Sequence, residues 1–232
     1  QGVGDGGDSD SAFTIAMWIK SNSGIADGDA LMGTMDGASG GDDHFLIGFH
    51  DSGNDGVRIY DGNNAHTAKW ESAFQRSDVN DNVWHHIAFT RPDSSSVVTA
   101  YLDGVDKGDE NYTGDFHANS DWLTINGRGD NTDKAGVMSI QDMGFWTREL
   151  SPADIAVIAT GKPIDKATLA TTYTTDLVGH WKFDGDYTQS GGSSGTNTGV
   201  AGAGVSKATT GGKFDTYDTT NLEENTIFIE KD

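Results

Sequence analysis

The chain reads as an all-β jelly-roll β-sandwich with one short helix, and three observations predict it. Short apolar runs that alternate with period 2 recur along most of its 232 residues, the pattern of half-buried strands. Turn residues punctuate them: Gly reaches 32, and 30 of the 36 acidic residues are Asp, against only 3 Pro. Such a composition favours tight turns and bulges over disordered linker. Helix-start chemistry occurs convincingly in one place, after Ser151.

Residues 1–10 are a Gly/Asp loop. Phe13–Lys20 is a strand with Phe13, Ile15, Met17 and Ile19 on one face and Trp18 on the other. Leu31–Met35 and Phe45–Phe49 follow, separated by Asp36–Gly41, and then the short run Val57–Gly62. Residues 60–76 are expected as a loop. Trp84–Thr90 and Tyr101–Gly104, joined by Arg91–Ser96, form an antiparallel hairpin. Trp122–Gly127 is a strand and turn, and Val137–Trp146 a long alternating strand. Ser151 suits an N-cap, Pro152 the first helical position and Asp154 the capping-box acid. The helix they open stops at Gly161-Lys162-Pro163. Leu177–Phe183 is again a strand, 190–212 a long loop or weak strand pair, and Thr226–Glu230 is strand-like.

A net charge of −21 argues against DNA or RNA as a partner and against anionic membrane surfaces. It is what solubility in saline or calcium-bearing water produces. With no Cys, disulfides, thiol catalysis and zinc fingers are excluded. No apolar run approaches transmembrane length. A start at Gln1, without initiator Met or signal segment, is expected of a piece excised from a longer protein.

Four runs carry a family resemblance. Phe13–Lys20 resembles the "FTISAWVKP" strand of LamG-like jelly rolls in the concanavalin A-like lectin/glucanase superfamily. Trp84–Thr90 is similar to their "WHHVAVTY" strand, Tyr101–Gly104 to "LYVDG", and Ile140–Ser151 to "IDEVRIYNRALS". The resemblance implies a LamG-like unit over 1–175. It also exposes a departure, because the wording that usually opens the family, "LVAHWKFDG", stands here at Leu177–Gly185. Residues 176–232 are therefore either a returning strand that completes the sandwich or the start of a second, truncated domain. A LamG-like unit followed by such a segment also resembles marine-phage structural proteins.

The fold hosts lectins, adhesins, glycosidases and structural modules, so function rests on particular residues. The glucanase branch needs paired carboxylates on one strand face. The Glu residues at 71, 110, 149, 223, 224 and 230 supply no such pair, and Gln141-Asp142 is one carboxylate short; the chain is expected not to be an enzyme. His85 and His86 are adjacent on a strand and face opposite sides, so they cannot share a ligand. The resemblance places a calcium ion between the loop before the first strand and the long strand, at Asp5, Asp8, Asp10, Gln141 and Asp142, all hard oxygen donors. It places ligands on rim loops or the concave sheet, where Tyr60, Asn63, Asn64, His66, Trp70 and Trp122 offer stacking faces and hydroxyl partners. Each of those aromatics also has a plain reading as core.

The expected function is a non-catalytic adhesion or structural module, extracellular or on a virion surface, with calcium-assisted glycan binding. Its rival is a phage capsid-decoration or fibre protein acting through lattice contacts with neighbouring structural proteins or its own copies. Neither reading involves nucleic acid or membrane insertion.

Overall fold

The computed structural model describes residues 12–26, 28–35, 45–49, 55–61, 67–113, 122–126, 137–164, 167, 169, 175–183, 199–201, 206–208, 221–223 and 227–230. In chain order the strands are β1 (Phe13–Gly24), β2 (Ala30–Met35), β3 (Phe45–Phe49), β4 (Gly56–Asp61), β5 (Thr67–Gln75), β6 (Trp84–Arg91), β7 (Val97–Leu102), β8 (Val105–Asn111), β9 (Trp122–Ile125) and β10 (Val137–Trp146). Helix α1 (Pro152–Ala159) follows. Then come β11 (Leu177–Trp181), β12 (Gly199–Ala201), β13 (Ser206–Ala208), β14 (Asn221–Glu223) and β15 (Ile227–Glu230).

Among the described residues a six-stranded sheet runs β11-β10-β1-β6-β7-β8 and a seven-stranded sheet β12-β15-β9-β2-β3-β4-β5, with every pairing antiparallel. β13 and β14 form a separate pair. The sequence expected a jelly-roll sandwich with one short helix, and this is one. Phe13, Ile15, Met17 and Ile19 enter the interior, where they meet Phe45, Ile47, Val57 and Ile59 of the other sheet. Phe13 meets Phe45 edge-on across the sandwich at 6.3 Å.

Two differences from the expected elements have clear causes. Residues 67–75 are β5, not loop. Their apolar residues Ala68, Trp70 and Phe74 share one face, but the alternation is interrupted at Ser72, because residues 71–73 are exposed where the strand breaks register between Val57↔Trp70 and Gly56↔Gln75. β8 was not foreseen because Val105–Asn111 buries almost nothing: every residue is exposed except Lys107, which is intermediate. It is an edge strand held by backbone pairing. In 190–212, β12 pairs with β15 and β13 with β14 rather than with each other.

The long strand β10 carries a bulge. Ala16 pairs with Gly144 and Trp18 with Gln141, so Asp142 and Met143 together oppose Met17. Ile140, Met143 and Phe145 all face the interior, and a spacing of three between the first two demands one extra residue. Asp142 supplies it by adopting φ +52°, a left-handed conformation that short polar residues tolerate.

A second apolar cluster lies on the opposite, outward face of the six-stranded sheet. There Ile155 and Ile158 of α1 cover Ala16, Ala88, Tyr101 and Trp146. The helix opens as the sequence predicts: Ser151 Oγ accepts from the Asp154 amide at 3.2 Å, and Asp154 Oδ2 accepts from the Ser151 amide at 3.3 Å. Gly161, at φ +87°, ends it. The β7–β8 turn places Asp103 at φ +52° and Gly104 at φ +77°, the geometry a two-residue hairpin turn requires.

Candidate functional site

Strand register brings several chain connections to one end of the seven-stranded sheet. Met35 at the end of β2 pairs with Trp122 at the start of β9, and Trp122 pairs with Glu230 at the end of β15. Phe45 at the start of β3 pairs with Asp61 at the end of β4, and Tyr60 pairs with Thr67 at the start of β5. The connections 36–44 and 62–66 and the segment entering β9 therefore all leave from this rim. Asn63, Asn64 and His66 belong to one of them and lie outside the described residues. Trp122 begins β9, with its side chain likewise outside them. Three strand spacings separate it from Asp61, about 14 Å.

Beneath the rim the outward face of this sheet is apolar. Ala30, Leu46 and Tyr60 form a small buried cluster. The Arg58 guanidinium lies 3.9 Å from the Tyr60 ring centroid, a cation–π pair on a buried surface. One ring face of Tyr60 is thus taken by Arg58, which sequence reasoning missed; an arginine two residues before a tyrosine on one strand was the available signal. Trp70 sits inside the sandwich. Its Nε1 donates to the Gly108 carbonyl at 2.8 Å, and its ring packs 5.6 Å from Phe89. It joins the edge of one sheet to the edge of the other.

The expected calcium ligands divide. Asp5, Asp8 and Asp10 lie outside the described residues. Gln141 is buried in register with Trp18. Asp142 is buried in the β10 bulge, where Oδ1 accepts from His180 Nε2 at 2.6 Å and Oδ2 from the Ile164 amide at 2.8 Å. Gln141 and Asp142 offer hard oxygens, the donor chemistry of calcium. Both carboxylate oxygens of Asp142 are thus engaged by protein donors. His180 is a partner that the sequence did not single out. Among the described residues no group of three or more His, Asp or Glu could hold a metal ion.

The adjacent histidines face opposite sides, as strand geometry requires. His86 stacks edge-on with Trp18 at 5.3 Å on the outward face. The two nitrogens of His85 meet Asp103 Oδ2 at 2.8 Å and Asp81 Oδ1 at 3.1 Å. Asp103 also accepts from the His86 amide at 2.9 Å, so the turn carboxylate is tied to β6. The Val83 amide, donating to Asp81, holds that carboxyl below its ordinary value of 3.8, and His85 adds to the effect. Burial raises the Glu149 carboxyl above 4.5 and the Tyr101 hydroxyl above 10.0. These are supports of the scaffold.

Residues 3–156 match the Laminin_G_3 family model of the concanavalin A-like lectin/glucanases superfamily. The chain belongs to that family. A protein of Rattus norvegicus, "Sushi, von Willebrand factor type A, EGF and pentraxin domain-containing protein 1", is 27% identical over 160 residues, which are 66% of this chain and 4% of that protein. The chain thus spans a small fraction of its curated relative. A Bacteroides ovatus structure described as a carbohydrate binding protein superposes with a TM-score of 0.53 at 14% identity, over 95% of this chain and 54% of that one. The Ruminococcus gnavus sialidase module CBM40, bound to alpha2,6 sialyllactose, has a TM-score of 0.46 at 15% identity, over 65% and 84%. Among the described residues no helix is long and apolar enough to cross a membrane.

Proposed function

We propose that this Laminin_G_3 chain is a non-catalytic glycan-binding and adhesion module that works outside a cell or on a virion surface. The observation that supports the reading is the rim of the seven-stranded sheet, where register brings the start of β9 near the end of β4 and the start of β5, the strands that flank Asn63, Asn64 and His66 in the sequence. An aromatic face and side-chain amides are what a short oligosaccharide engages, by stacking and by hydroxyl hydrogen bonds. Fold likeness over nearly the whole chain to a protein described as carbohydrate binding supports it. The roles found for Trp70, His85 and His86 also support it, since each is spent on holding the sandwich together.

Calcium enters through Asp5, Asp8, Asp10, Gln141 and Asp142, with the acidic loop as the principal donor. A glycan array run with and without Ca²⁺ tests the reading. Binding of a defined glycan class, lost on replacing Asn63 and Asn64 with Ala, is the expected result. Silence across the array in both conditions overturns it. Calorimetric titration of chelated protein tests the ion: neither heat nor a shift in melting temperature removes calcium from the proposal.

A further inference from the structure

The outward face of the six-stranded sheet is divided by one stretch of chain. The last turn of α1 rests on the β7–β8 turn, where Ala159 Cβ lies 3.0 Å from the position a Cβ would take at Gly104. Five residues later the Ile164 amide donates to Asp142 Oδ2 at 2.8 Å, and the Ile164 side chain lies against Gly144 on β10. Three strand spacings separate β7 from β10, about 14 Å, and five residues reach about 17 Å at most. The segment 160–164 therefore crosses β6 and β1 almost straight. Its passage accounts for the burial of Trp18, His86 and Gln141, which face outward but stand outside the apolar cluster under α1.

Beyond that crossing lies one more row of outward side chains. Lys20 pairs with Trp84 on one side and with Ser139 on the other, so the three stand abreast over about 10 Å. All three are half-buried, and Lys162 in the crossing segment is exposed. Among the described residues neither Lys20 nor Lys162 has an ion pair or a side-chain hydrogen bond. The carboxylates that border the row have other partners. Asp81 meets His85 and the Val83 amide, and Asp103 meets His85 and the His86 amide. Asp142 meets His180 and the Ile164 amide. In a chain of net charge −21, two uncompensated cations beside an indole favour an anionic occupant.

We propose that the row Ser139–Lys20–Trp84, with Lys162 above it, is a second ligand site, for a carboxylated pyranose such as a uronate residue of a polysaccharide. The Trp84 indole covers an apolar face of the sugar ring. The Ser139 hydroxyl meets a sugar hydroxyl, and the two ammonium groups donate to the carboxylate. Exposed ion pairs of this kind contribute little singly, so the site needs both lysines and the indole together. It lies on the opposite sheet from the rim at Trp122 and does not depend on glycan binding there. If both faces hold glycan, one chain can bridge two polysaccharide strands, and only that consequence rests on the rim.

The test titrates the isotope-labelled full chain with trimers of galacturonate and mannuronate, and with their neutral galactose and mannose counterparts. NMR shifts of the Trp84 indole and of the Lys20 and Ser139 amides report occupancy. At least one acidic trimer is expected to move them, and to bind more tightly than its neutral counterpart. Lys20→Gln and Lys162→Gln should each weaken that binding about threefold and flatten its dependence on salt, with melting temperatures unchanged. Replacing Asn63 and Asn64 with Ala should leave it intact. Equal affinity for acidic and neutral trimers overturns carboxylate recognition. Acid binding that survives both lysine substitutions but is lost with Asn63 and Asn64 belongs to the rim and overturns the second site. So does the absence of any shift at Trp84, Lys20 and Ser139 with every trimer.

Discussion

The indole of Trp146 lies back over Gly144, two residues earlier on the same face of β10, where an added Cβ would collide with the ring and approach Ile164. β11 repeats the device on the interior face with Gly179 and Trp181. Gly144→Ala must therefore push a packed tryptophan against α1's cluster. Overpacking of this kind costs about 2–3 kcal/mol, a drop of roughly 5–10 °C in melting temperature for a chain of this size. Gly108, at φ +98° with nothing within 4 Å of its Cβ position, is the control: Gly108→Ala adds only backbone strain of about 1 kcal/mol. Thermal melts that rank the two variants in the opposite order refute the packing.

Trp70 is a hinge point between sheets, and Trp70→Phe separates that role from ligand contact. The variant keeps an aromatic ring and loses the hydrogen bond to the Gly108 carbonyl, at a cost of about 1 kcal/mol. Denaturant titration should show that loss, while glycan affinity per folded molecule stays unchanged. An affinity loss without a stability loss would place Trp70 in the binding site.

Two carboxyls titrate with opposite sign. The depressed Asp81 favours the folded state above its ordinary 3.8, and that contribution disappears as pH falls below it. Asp81→Asn should therefore melt below the wild type at pH 7, with the two curves converging at strongly acidic pH. The raised Glu149 does the reverse. Its ionisation opposes folding as pH rises through 4.5, so Glu149→Gln should match the wild type in acid and exceed it at pH 7. Melting temperature against pH for the three proteins checks both signs.

Ser151→Ala removes the acceptor for the Asp154 amide and one half of the capping box. The cap is worth about 1 kcal/mol, or roughly 2–4 °C. Because α1 covers Tyr101 and Trp146, loosening it should also raise hydrogen exchange at β10. Unchanged exchange there would mean that the helix does not protect the sheet.

Strands that bury one face were legible because burial imposes period 2. β1, β6 and β7 show it, and α1 was legible from its cap. β8 was not, since an exposed edge strand has no apolar face to print on the sequence. β5 was hidden by its register break. Among the site residues, His180 escaped notice because its partner Asp142 lies 38 positions away, and no local pattern relates them. That the start of β9 and the end of β4 share one rim was illegible for the same reason: they come near each other only through the order β9-β2-β3-β4.

What the sequence by itself determined is the sandwich, its hairpin and its single helix, through periodicity, turn chemistry and capping, all of which act over a few residues. Tertiary structure alone decided which chemical groups are spent on holding it together. Trp70 and His85-His86, conspicuous in the sequence as candidates for binding or catalysis, become struts once distant carbonyls and carboxylates close on them. Hydrogen-bond partners and desolvation are long-range properties of the fold, and they assign a polar or aromatic side chain its role.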